Sequence, residues 1–559
     1  MRNGWKKRGL AAFGALLVTA GLAACAQSER DPGGQSGGAA DTFVFAASSD
    51  PVMLDPAMAS DGETFRVARQ MFEGLVSLQP GSTELAPLLA TEWTSSSDGK
   101  THSFTLREGV KFHDGTDFNA EAVCANFERW YNWTGLNQNE NITYYYGKLF
   151  KGFKNPEGAD KSATGIYESC TAESPTKATI TLKKPFAAFV DAMTLPSFSM
   201  QSPAAMQQWD ANNTTGTADD PRFSAYATEH PTGTGPFKFE SWDRGQQVTL
   251  AANPDYWGEK PKIAKAIVRT IPDGNARKQE LQAGNIDGYD LVAPGDVEPM
   301  QAEGLQIKNR PAFNILYLGF NQKNKALQDV RVRQAINYAI DKEAVISQTL
   351  PPGSVAAKEF MPDMVNGYNP DVTSYDYDPE KAKQLLAEAG QSDLTLRFAY
   401  PTSVSRPYMP TPEDTFVALK SQLEAVGIKV EPLNAKWTPD YLDMVQGDGG
   451  TDKRDIHLLG WTGDYNDADN FVGVFFGGKS NEWGFENKAL FDELGAAREL
   501  PDKEQQATAY AKINEDIAKF APGVPIAHPA PSLAFGKGVQ GYEPSPVQDE
   551  VWNNVTVTR

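Results

Sequence analysis

The segment LTLRFAY, Leu394–Tyr400, has the length and composition of a β-strand, and it decides the fold class. After a connecting segment, Thr415–Val426 carries apolar residues at intervals of three and four, which predicts a helix with one apolar face. Gly427 is a typical helix stop, and Ile428–Val430 begins a second strand. A strand, a helix and a strand in this order form a βαβ unit with a parallel pair of strands. The chain is therefore predicted to be an α/β protein.

Other elements on both sides of this unit fit the same class. Apolar spacing predicts a helix over Asp329–Ile340, and an Asp-Pro start predicts another from Asp378 to Gly390. Nearer the N-terminus, Asp98-Gly99 separates two segments of alternating polarity, which predicts a β-hairpin. No internal repeat is visible, which argues against a solenoid or a propeller.

Four groups of short motifs follow one another along nearly the whole chain. In order they are Leu54-Asp55-Pro56 with RQMFEGLV (Arg69–Val76); LLATEW (Leu88–Trp93) with FTLREGVKFHDG (Phe104–Gly115) and Ala120–Val123; GTGPFKF (Gly233–Phe239) with NPDYWG (Asn253–Gly258); and RQAINYAID (Arg333–Asp341). Each motif alone is weak. Together they resemble family 5 of the ABC-importer solute-binding proteins, the peptide, dipeptide and nickel family, and in particular its dipeptide- and oligopeptide-binding lipoproteins.

The resemblance implies a two-lobe fold of the periplasmic-binding-protein type. Lobe one would comprise residues 42–312, with an extra subdomain inserted at about 90–215. Lobe two would comprise residues 313–526, and residues 527–559 would return to lobe one. The chain would therefore cross the hinge twice, and a ligand would be enclosed between the lobes when the hinge closes.

The N-terminal region predicts export and a membrane anchor. Residues 1–24 combine a basic start with the apolar run Leu10–Ala24, which is shorter than the roughly 20 residues of a membrane helix and is typical of a secretory signal. Cys25 directly follows small residues in a pattern that resembles a lipobox, so we expect its lipidation. An ordinary signal peptide with an incidental cysteine is the alternative. Residues 25–41 are rich in Gly and Ser and predict a flexible tether.

Charge and cysteine content narrow the class further. The formal net charge of −20 becomes −24 without the four basic residues of the signal, so nucleic-acid binding is not expected. Outside the cytoplasm, Cys124 and Cys170 can form a disulfide; two buried free thiols are the alternative. No cysteine or histidine spacing predicts a zinc site, and neither a metal nor a cofactor is expected.

The candidate ligand site comes from two segments that resemble the dipeptide-binding members of the family. These are Ser405–Tyr408 (SRPY) and Gly460–Phe471 (GWTGDYNDADNF). The resemblance implies that Asp464 binds the α-ammonium of the ligand and that Arg406 and Tyr408 bind its α-carboxylate. We also expect Trp461, Gly463 and Tyr465 at the ligand.

The charges of a free peptide support this assignment. Both ends lose water when the lobes close, so each end needs a partner of opposite charge. The planar fork of an arginine matches a carboxylate in a way that a lysine does not. A dipeptide spans about 7 Å, so a fixed distance between Asp464 and Arg406 would select ligand length.

Other interpretations of these residues stay open at this point. Arg406 precedes a proline and could lie in a solvated surface turn, and Trp461 could belong to the core. Tyr465-Asn466 is closer to the oligopeptide-binding members, which leaves ligand length undecided. A calcium loop starting at Asp464 is excluded, because Asp469 and Phe475 stand where such a loop needs Gly and Glu.

An enzyme is not expected, because no HExxH motif and no GxSxG elbow between a strand and a helix is present. The same fold could bind a nickel chelate, haem or an oligosaccharide, or serve as a peptide-sensing receptor. The Asp464 and Arg406 charges argue against a neutral sugar, which would leave both uncompensated. The favoured hypothesis is a monomeric, lipid-anchored extracytoplasmic protein that delivers short peptides to ABC permease subunits.

Overall fold

The computed structural model describes residues 39–157, 164–447, 450 and 452–559. Its strands are β1 Ala39–Ala40, β2 Thr42–Ala47, β3 Val76–Leu78, β4 Leu85–Pro87, β5 Ala90–Ser95, β6 Thr101–Leu106, β7 Tyr167–Ser174, β8 Lys177–Leu182, β9 Thr215–Gly216, β10 Pro221–Arg222, β11 Phe237–Asp243, β12 Gln247–Ala252, β13 Lys265–Thr270, β14 Gly288–Asp290, β15 Gln306–Asn309, β16 Asn314–Phe320, β17 Val355–Ala356, β18 Thr395–Thr402, β19 Lys429–Lys436, β20 Ile456–Thr462, β21 Gly523–His528, β22 Ser532–Phe535, β23 Val539–Gln540 and β24 Thr556–Thr558.

The α-helices are distributed among these strands. They are α1 Gly62–Met71, α2 Ala120–Tyr131, α3 Tyr144–Phe150, α4 Phe189–Ala192, α5 Pro203–Gln208, α6 Gly274–Gln282, α7 Val297–Ala302, α8 Lys325–Gln328, α9 Val330–Ala339, α10 Lys342–Thr349, α11 Pro379–Glu388, α12 Pro412–Ala425, α13 Leu442–Gln446, α14 Val472–Phe476, α15 Lys488–Arg498 and α16 Lys503–Phe520. Many begin at an Asp or Asn whose side chain accepts a hydrogen bond from the first turn, as Asp61 does for α1.

Lobe one is built on a seven-stranded mixed sheet in the order β11-β12-β13-β2-β14-β22-β15. Strands β13 and β2 pair in parallel, as do β14 and β2. Apolar side chains cover both faces of this sheet, one set including Phe43 and Phe45 and the other Val44 and Ala46. Burial on both faces explains why β2 is an unbroken apolar run rather than an alternating one.

The inserted subdomain has its own four-stranded antiparallel sheet in the order β5-β6-β8-β7. Strands β5 and β6 form the hairpin predicted at Asp98-Gly99, and Gly99 has the positive φ of 66° that the turn requires. Cys124 on α2 is bonded to Cys170 on β7, with their Cα atoms 5.2 Å apart. The disulfide therefore ties the helix to the sheet that it covers.

Lobe two is built on a six-stranded sheet in the order β17-β21-β16-β20-β18-β19. Strands β18 and β19 pair in parallel and are joined by α12, as the βαβ pattern predicts. The helix packs onto the sheet through Phe416, Leu419 and Leu423, which lie on its apolar face. At its carboxyl end, β20 leads directly into the Gly463–Asp464 segment.

The chain passes between the two sheets twice. Residues 310–313 connect β15 of lobe one to β16 of lobe two, and residues 529–531 connect β21 back to β22. The second crossing lies slightly later than the expected boundary at 527, because β21 continues to His528 in the sheet of lobe two. The two-lobe α/β architecture is that implied by the resemblance.

The structure describes only the last residues of the N-terminal region for which a signal, a lipidated cysteine and a tether are predicted. The signal 1–24, Cys25 and most of the predicted tether lie outside the described residues. The last part of that tether is not flexible, which corrects the expectation for residues 39–41: β1 pairs antiparallel with β24, Ala39 opposite Thr558. Backbone hydrogen bonds to the C-terminal strand order a segment whose composition alone favours disorder. In the described part of the chain, no helix is long and apolar enough to cross a membrane.

Candidate functional site

A cavity of about 290 Å³ lies between the lobes. Helix α1 and Tyr145 of α3 contribute its lobe-one wall, and the segments after β18 and β20 contribute its lobe-two wall. Five of the six predicted ligand residues line this cavity: Arg406, Tyr408, Trp461, Gly463 and Asp464. The fold thus brings together two segments that are more than fifty residues apart in sequence.

Asp464 is held by the loop that follows β20. Asp467 caps the short 3-10 helix Ala468–Asn470, which turns the chain back toward Asp464. The backbone N–H of Asp464 donates to Asn470 Oδ1 at 2.7 Å, and Asn470 Nδ2 donates to Asp464 Oδ2 at 3.2 Å. Burial raises the pKa of Asp464 to about 6, although hydrogen bonds from Tyr145 and Asn470 and the charge of Arg69 act to lower it. The carboxylate is therefore fixed in place, and among the described residues it forms no salt bridge.

Arg406 lies in a tight turn after β18. Its backbone exchanges hydrogen bonds with Met409, at 3.0 Å and 2.9 Å. The guanidinium lies over the Trp437 ring, 4.9 Å from its centroid, and hydrogen-bonds with Tyr408. Its Nε has no hydrogen-bond partner among the described residues. Arg406 is thus half-buried in the cleft wall and not in a solvated outer turn.

Two glycines permit the close packing of this wall. A Cβ at Gly463 would lie 2.4 Å from the Phe313 ring and 2.5 Å from the Phe471 ring. A Cβ at Gly460 would lie 2.3 Å from the Tyr408 ring. Any other residue at these positions would displace aromatic rings, so Gly463 serves the shape of the site and not ligand chemistry.

Trp461 combines the two roles that the sequence left open. It lines the cavity and also packs edge-on against Phe475 of lobe two, with ring centroids 6.4 Å apart. Its indole Nε1 has no partner among the described residues. The ring is therefore both core and cleft wall.

Tyr465 does not line the cleft, which corrects the expectation that it contacts ligand. Its side chain is 1% exposed and packs into the apolar core of the inserted subdomain in lobe one. The next residue, Asn466, donates to Thr83 Oγ1 of lobe one at 2.9 Å. Residues 465 and 466 therefore belong to the contact between lobes.

Polar contacts hold the two lobes together around this point. Lys503 of lobe two pairs with Asp191 of lobe one at 2.6 Å. Lys184 of lobe one pairs with Glu499 of lobe two at 2.7 Å. Arg498 donates to the Leu149 carbonyl at 2.8 Å. The structure therefore represents a closed arrangement of the lobes.

A buried ionic cluster forms part of the cleft wall, where Glu63, Arg66 and Asp290 line the cavity. Arg66 pairs with Glu63 at 2.8 Å and with Asp290 at 2.6 Å, while Arg310 pairs with Asp290 at 3.2 Å and with Glu550 at 2.8 Å. Burial lowers the pKa of Arg66, but Asp290 and Glu63 outweigh it and hold the pKa well above its usual value. Nε and Nη2 of Arg66 are thus committed to the protein, whereas Nη1 is buried without a partner among the described residues.

The residues that were missed from the sequence include Arg69, Tyr145 and Trp437, which line the cavity, and Asn470, which fixes Asp464 without lining it. Arg69 lies in a quoted motif and Asn470 in a quoted segment, but neither was assigned a contact. Tyr145 is the middle of three consecutive tyrosines, and nothing in that run shows which ring faces the cleft.

A second cavity, of about 570 Å³, lies within lobe two beside α10 and α16. It contains none of the predicted ligand residues. Its buried carboxyl, Glu359, accepts hydrogen bonds from Asn369 at 3.2 Å and Asn514 at 3.5 Å, and burial raises its pKa to about 8. The charged interlobe cavity is therefore the better candidate site. Among the described residues, no group of three or more His, Cys, Asp or Glu side chains could hold a metal ion.

Two α/β lobes that enclose a charged cleft at a twice-crossed hinge define a solute-binding protein. Residues 84–483 match the bacterial extracellular solute-binding proteins, family 5, and the chain belongs to that family. The family resemblance seen in the sequence is thereby confirmed, and the family is one of transport-associated binding proteins rather than enzymes.

Individual relatives span essentially the whole chain. It is 30% identical to the heme-binding protein A of Haemophilus influenzae, over 92% of each chain. It is 29% identical to the dipeptide-binding protein of Escherichia coli, over 100% of each. Among solved structures, it matches the ABC transporter-associated periplasmic binding protein DppA from Helicobacter pylori in complex with the peptide STSA. That match has a TM-score of 0.74 and 26% identity, covering 93% of this chain and 98% of the other.

Proposed function

We propose that this protein captures short peptides, from dipeptides to oligopeptides, and delivers them to the permease subunits of an ABC importer. The observation that carries the proposal is the pair of opposite charges in one cavity, with Asp464 and Arg406 both lining it. A free peptide carries an ammonium at one end and a carboxylate at the other, and each end would meet its counter-charge on closure.

The surroundings of each charge suit the proposed role. Asp464 is buried with a raised pKa, so a ligand ammonium would both pair with it and favour its ionised form. Arg406 is oriented by Trp437 and Tyr408, with one nitrogen still unpaired. Side chains of the peptide would be accommodated by Trp461 and Trp437, whose flat surfaces accept different apolar groups.

The relatives support a peptide ligand and also supply the main rival. A dipeptide-binding protein and a peptide-bound DppA are among them, and so is a heme-binding protein. In the described cavity wall, no His, Cys or Met side chain is present to ligate a haem iron, and its two tyrosines, Tyr145 and Tyr408, are engaged by Asp464 and Arg406. A peptide is thus the better match to the residues of this chain.

We further propose that the protein is a monomeric lipoprotein held on the outer face of the cell membrane through Cys25. The support is the pattern of small residues before that cysteine. Replacement Cys25→Ser should move the protein from the membrane fraction to the soluble fraction of the same compartment. Unchanged membrane association in that variant would exclude the anchor.

The decisive test is isothermal titration of the purified protein with Ala-Ala, N-acetyl-Ala-Ala, Ala-Ala-amide and haem. We expect Ala-Ala to bind, and blocking either end to weaken binding by about tenfold or more. Native mass spectrometry of the same preparation would show any co-purified peptide by its mass. Tight binding of haem with no binding of Ala-Ala would overturn the proposal.

A further inference from the structure

Two arginines of the cleft wall, Arg66 and Arg69, are not used by the proposed function. Arg69 lies in the last turn of α1 in lobe one and lines the same cavity as Asp464 and Arg406. Its side chain forms no hydrogen bond or salt bridge within the described part of the chain, and its Nε is buried without a partner. By contrast, Arg66 on the same helix is committed to Glu63 and Asp290.

Arg69 shares the cavity with Asp464, the expected partner of the ligand ammonium, and the two charges interact. Burial lowers the pKa of Arg69, and three carboxylates, Asp549, Glu550 and Asp464, act to raise it. Glu550 is already bonded to Arg310 at 2.8 Å. Asp549 acts on Arg69 through space, and Asp464 lies across the cleft on lobe two. Arg69 in turn lowers the pKa of Asp464. The two opposite charges therefore partly compensate each other across the cavity.

This balance changes when a ligand binds as proposed. An ammonium at Asp464 neutralises that carboxylate, and Arg69 then loses part of its compensation in a closed, desolvated cleft. A ligand that brings its own carboxylate next to its ammonium restores the balance. The terminal nitrogens of an arginine can donate two parallel hydrogen bonds to such a group.

We infer that Arg69 is a specificity-determining residue that binds a carboxylate carried by the first residue of the peptide. The inference rests on the proposed binding of the ligand ammonium at Asp464. Two kinds of ligand carry this chemistry. One is a peptide with an acidic first side chain, such as Glu-Ala. The other is a γ-linked glutamyl peptide, such as γ-Glu-Ala, whose α-carboxylate remains free beside its ammonium.

The test is isothermal titration of the purified protein with Glu-Ala, γ-Glu-Ala, Gln-Ala and Ala-Ala. We expect the wild type to bind at least one of the two acidic ligands about tenfold tighter than Gln-Ala. The better acidic ligand identifies the source of the carboxylate. Equal affinity for Gln-Ala and both acidic ligands in the wild type overturns the inference without any variant.

The variant Arg69→Gln should abolish this preference, so that the Kd values for Gln-Ala and for the better acidic ligand differ by less than about threefold. Arg222→Gln, at an exposed position outside the cleft, should retain the preference and serves as the matched control. Thermal denaturation of each variant verifies folding. A preference that survives in Arg69→Gln overturns the inference. Failure of every peptide to bind the wild type would instead overturn the proposed function.

Discussion

Replacement of Asp464 by Asn tests the site most directly, because it should weaken binding and strengthen the fold at once. Asn keeps the size of the side chain and can still interact with Asn470, but it removes the charge. Removing one member of a buried, hydrogen-bonded charge pair costs about 2–5 kcal/mol of binding, which is about 30- to 5000-fold in Kd. Isothermal titration with Ala-Ala measures this loss.

The stability of the empty protein should change in the opposite direction. The pKa of Asp464 is raised from 3.8 to about 6 by burial, so the unfolded chain releases this proton at lower pH than the folded protein does. As pH rises through that window the folded state loses stability, up to about 3 kcal/mol above pH 6. Asp464→Asn removes this cost, so its Tm at pH 7.5 should equal or exceed that of the wild type.

The same pKa predicts the pH dependence of binding. Below about pH 6 the carboxyl must lose a proton before it can pair with an ammonium, so affinity should fall about tenfold per pH unit. The Asn variant should lack this dependence. Asp393→Asn, whose parent side chain is 96% exposed, is the matched control and should resemble the wild type. A lowered Tm with unchanged affinity in Asp464→Asn would refute the reasoning and make Asp464 structural.

Three further changes test other parts of the structure. Arg406→Lys keeps the charge but loses the planar fork of the guanidinium. Titration should show that free peptides bind about tenfold more weakly and that C-terminally amidated peptides bind almost as before. An equal loss for both would show that Arg406 does not contact the ligand carboxylate. Lys503→Ala breaks the 2.6 Å pair with Asp191 between the lobes. Because the Lys503 side chain is 51% exposed, peptide affinity should fall by less than about 1 kcal/mol, and less at high salt; a large, salt-independent loss would show another role. The double variant Cys124→Ser/Cys170→Ser removes a crosslink that spans 46 residues and should lower the free energy of unfolding by about 4 kcal/mol in thermal denaturation; unchanged stability would contradict this estimate.

Local pattern was sufficient for the elements that depend on local physics. The spacing of Phe416, Leu419 and Leu423 fixes one face of α12, and its neighbours β18 and β19 are parallel because a helix connects them. The Asp98-Gly99 turn likewise needs only its own residues, since Gly99 adopts the positive φ. These elements follow from periods and turn chemistry that act over a few residues.

The cleft was predictable only in part. Asp464 and Arg406 were assigned through resemblance and charge, and both line the cavity. Arg69 and Tyr145 come from the other lobe, hundreds of residues away, and no local rule indicates which face of α1 or α3 meets the cleft. Polar side chains on α1 are buried on more than one side, as Thr64 and Arg66 show, so burial pattern alone does not identify a ligand-facing residue.

Tyr465 shows why neighbouring residues in a motif do not share a role. Asp464 lines the cavity, whereas the adjacent Tyr465 is enclosed by apolar side chains of the opposite lobe. Both residues lie in the bend that follows β20, where the chain changes direction, so the two side chains meet different surroundings. Only the packing of the second lobe determines which residue meets which environment.

The pairing of β1 with β24 determines where labels must be attached to measure the opening of the two lobes. Ala39 lies opposite Thr558, so both ends of the described chain belong to lobe one. Lobe two is formed by the residues between the two crossings, which lie at 310–313 and 529–531. Fluorophores attached at Ala40 and Thr558 would therefore both lie on lobe one and would not report the hinge motion. A distance sensor for this protein needs one dye on lobe one and the other within residues 314–528.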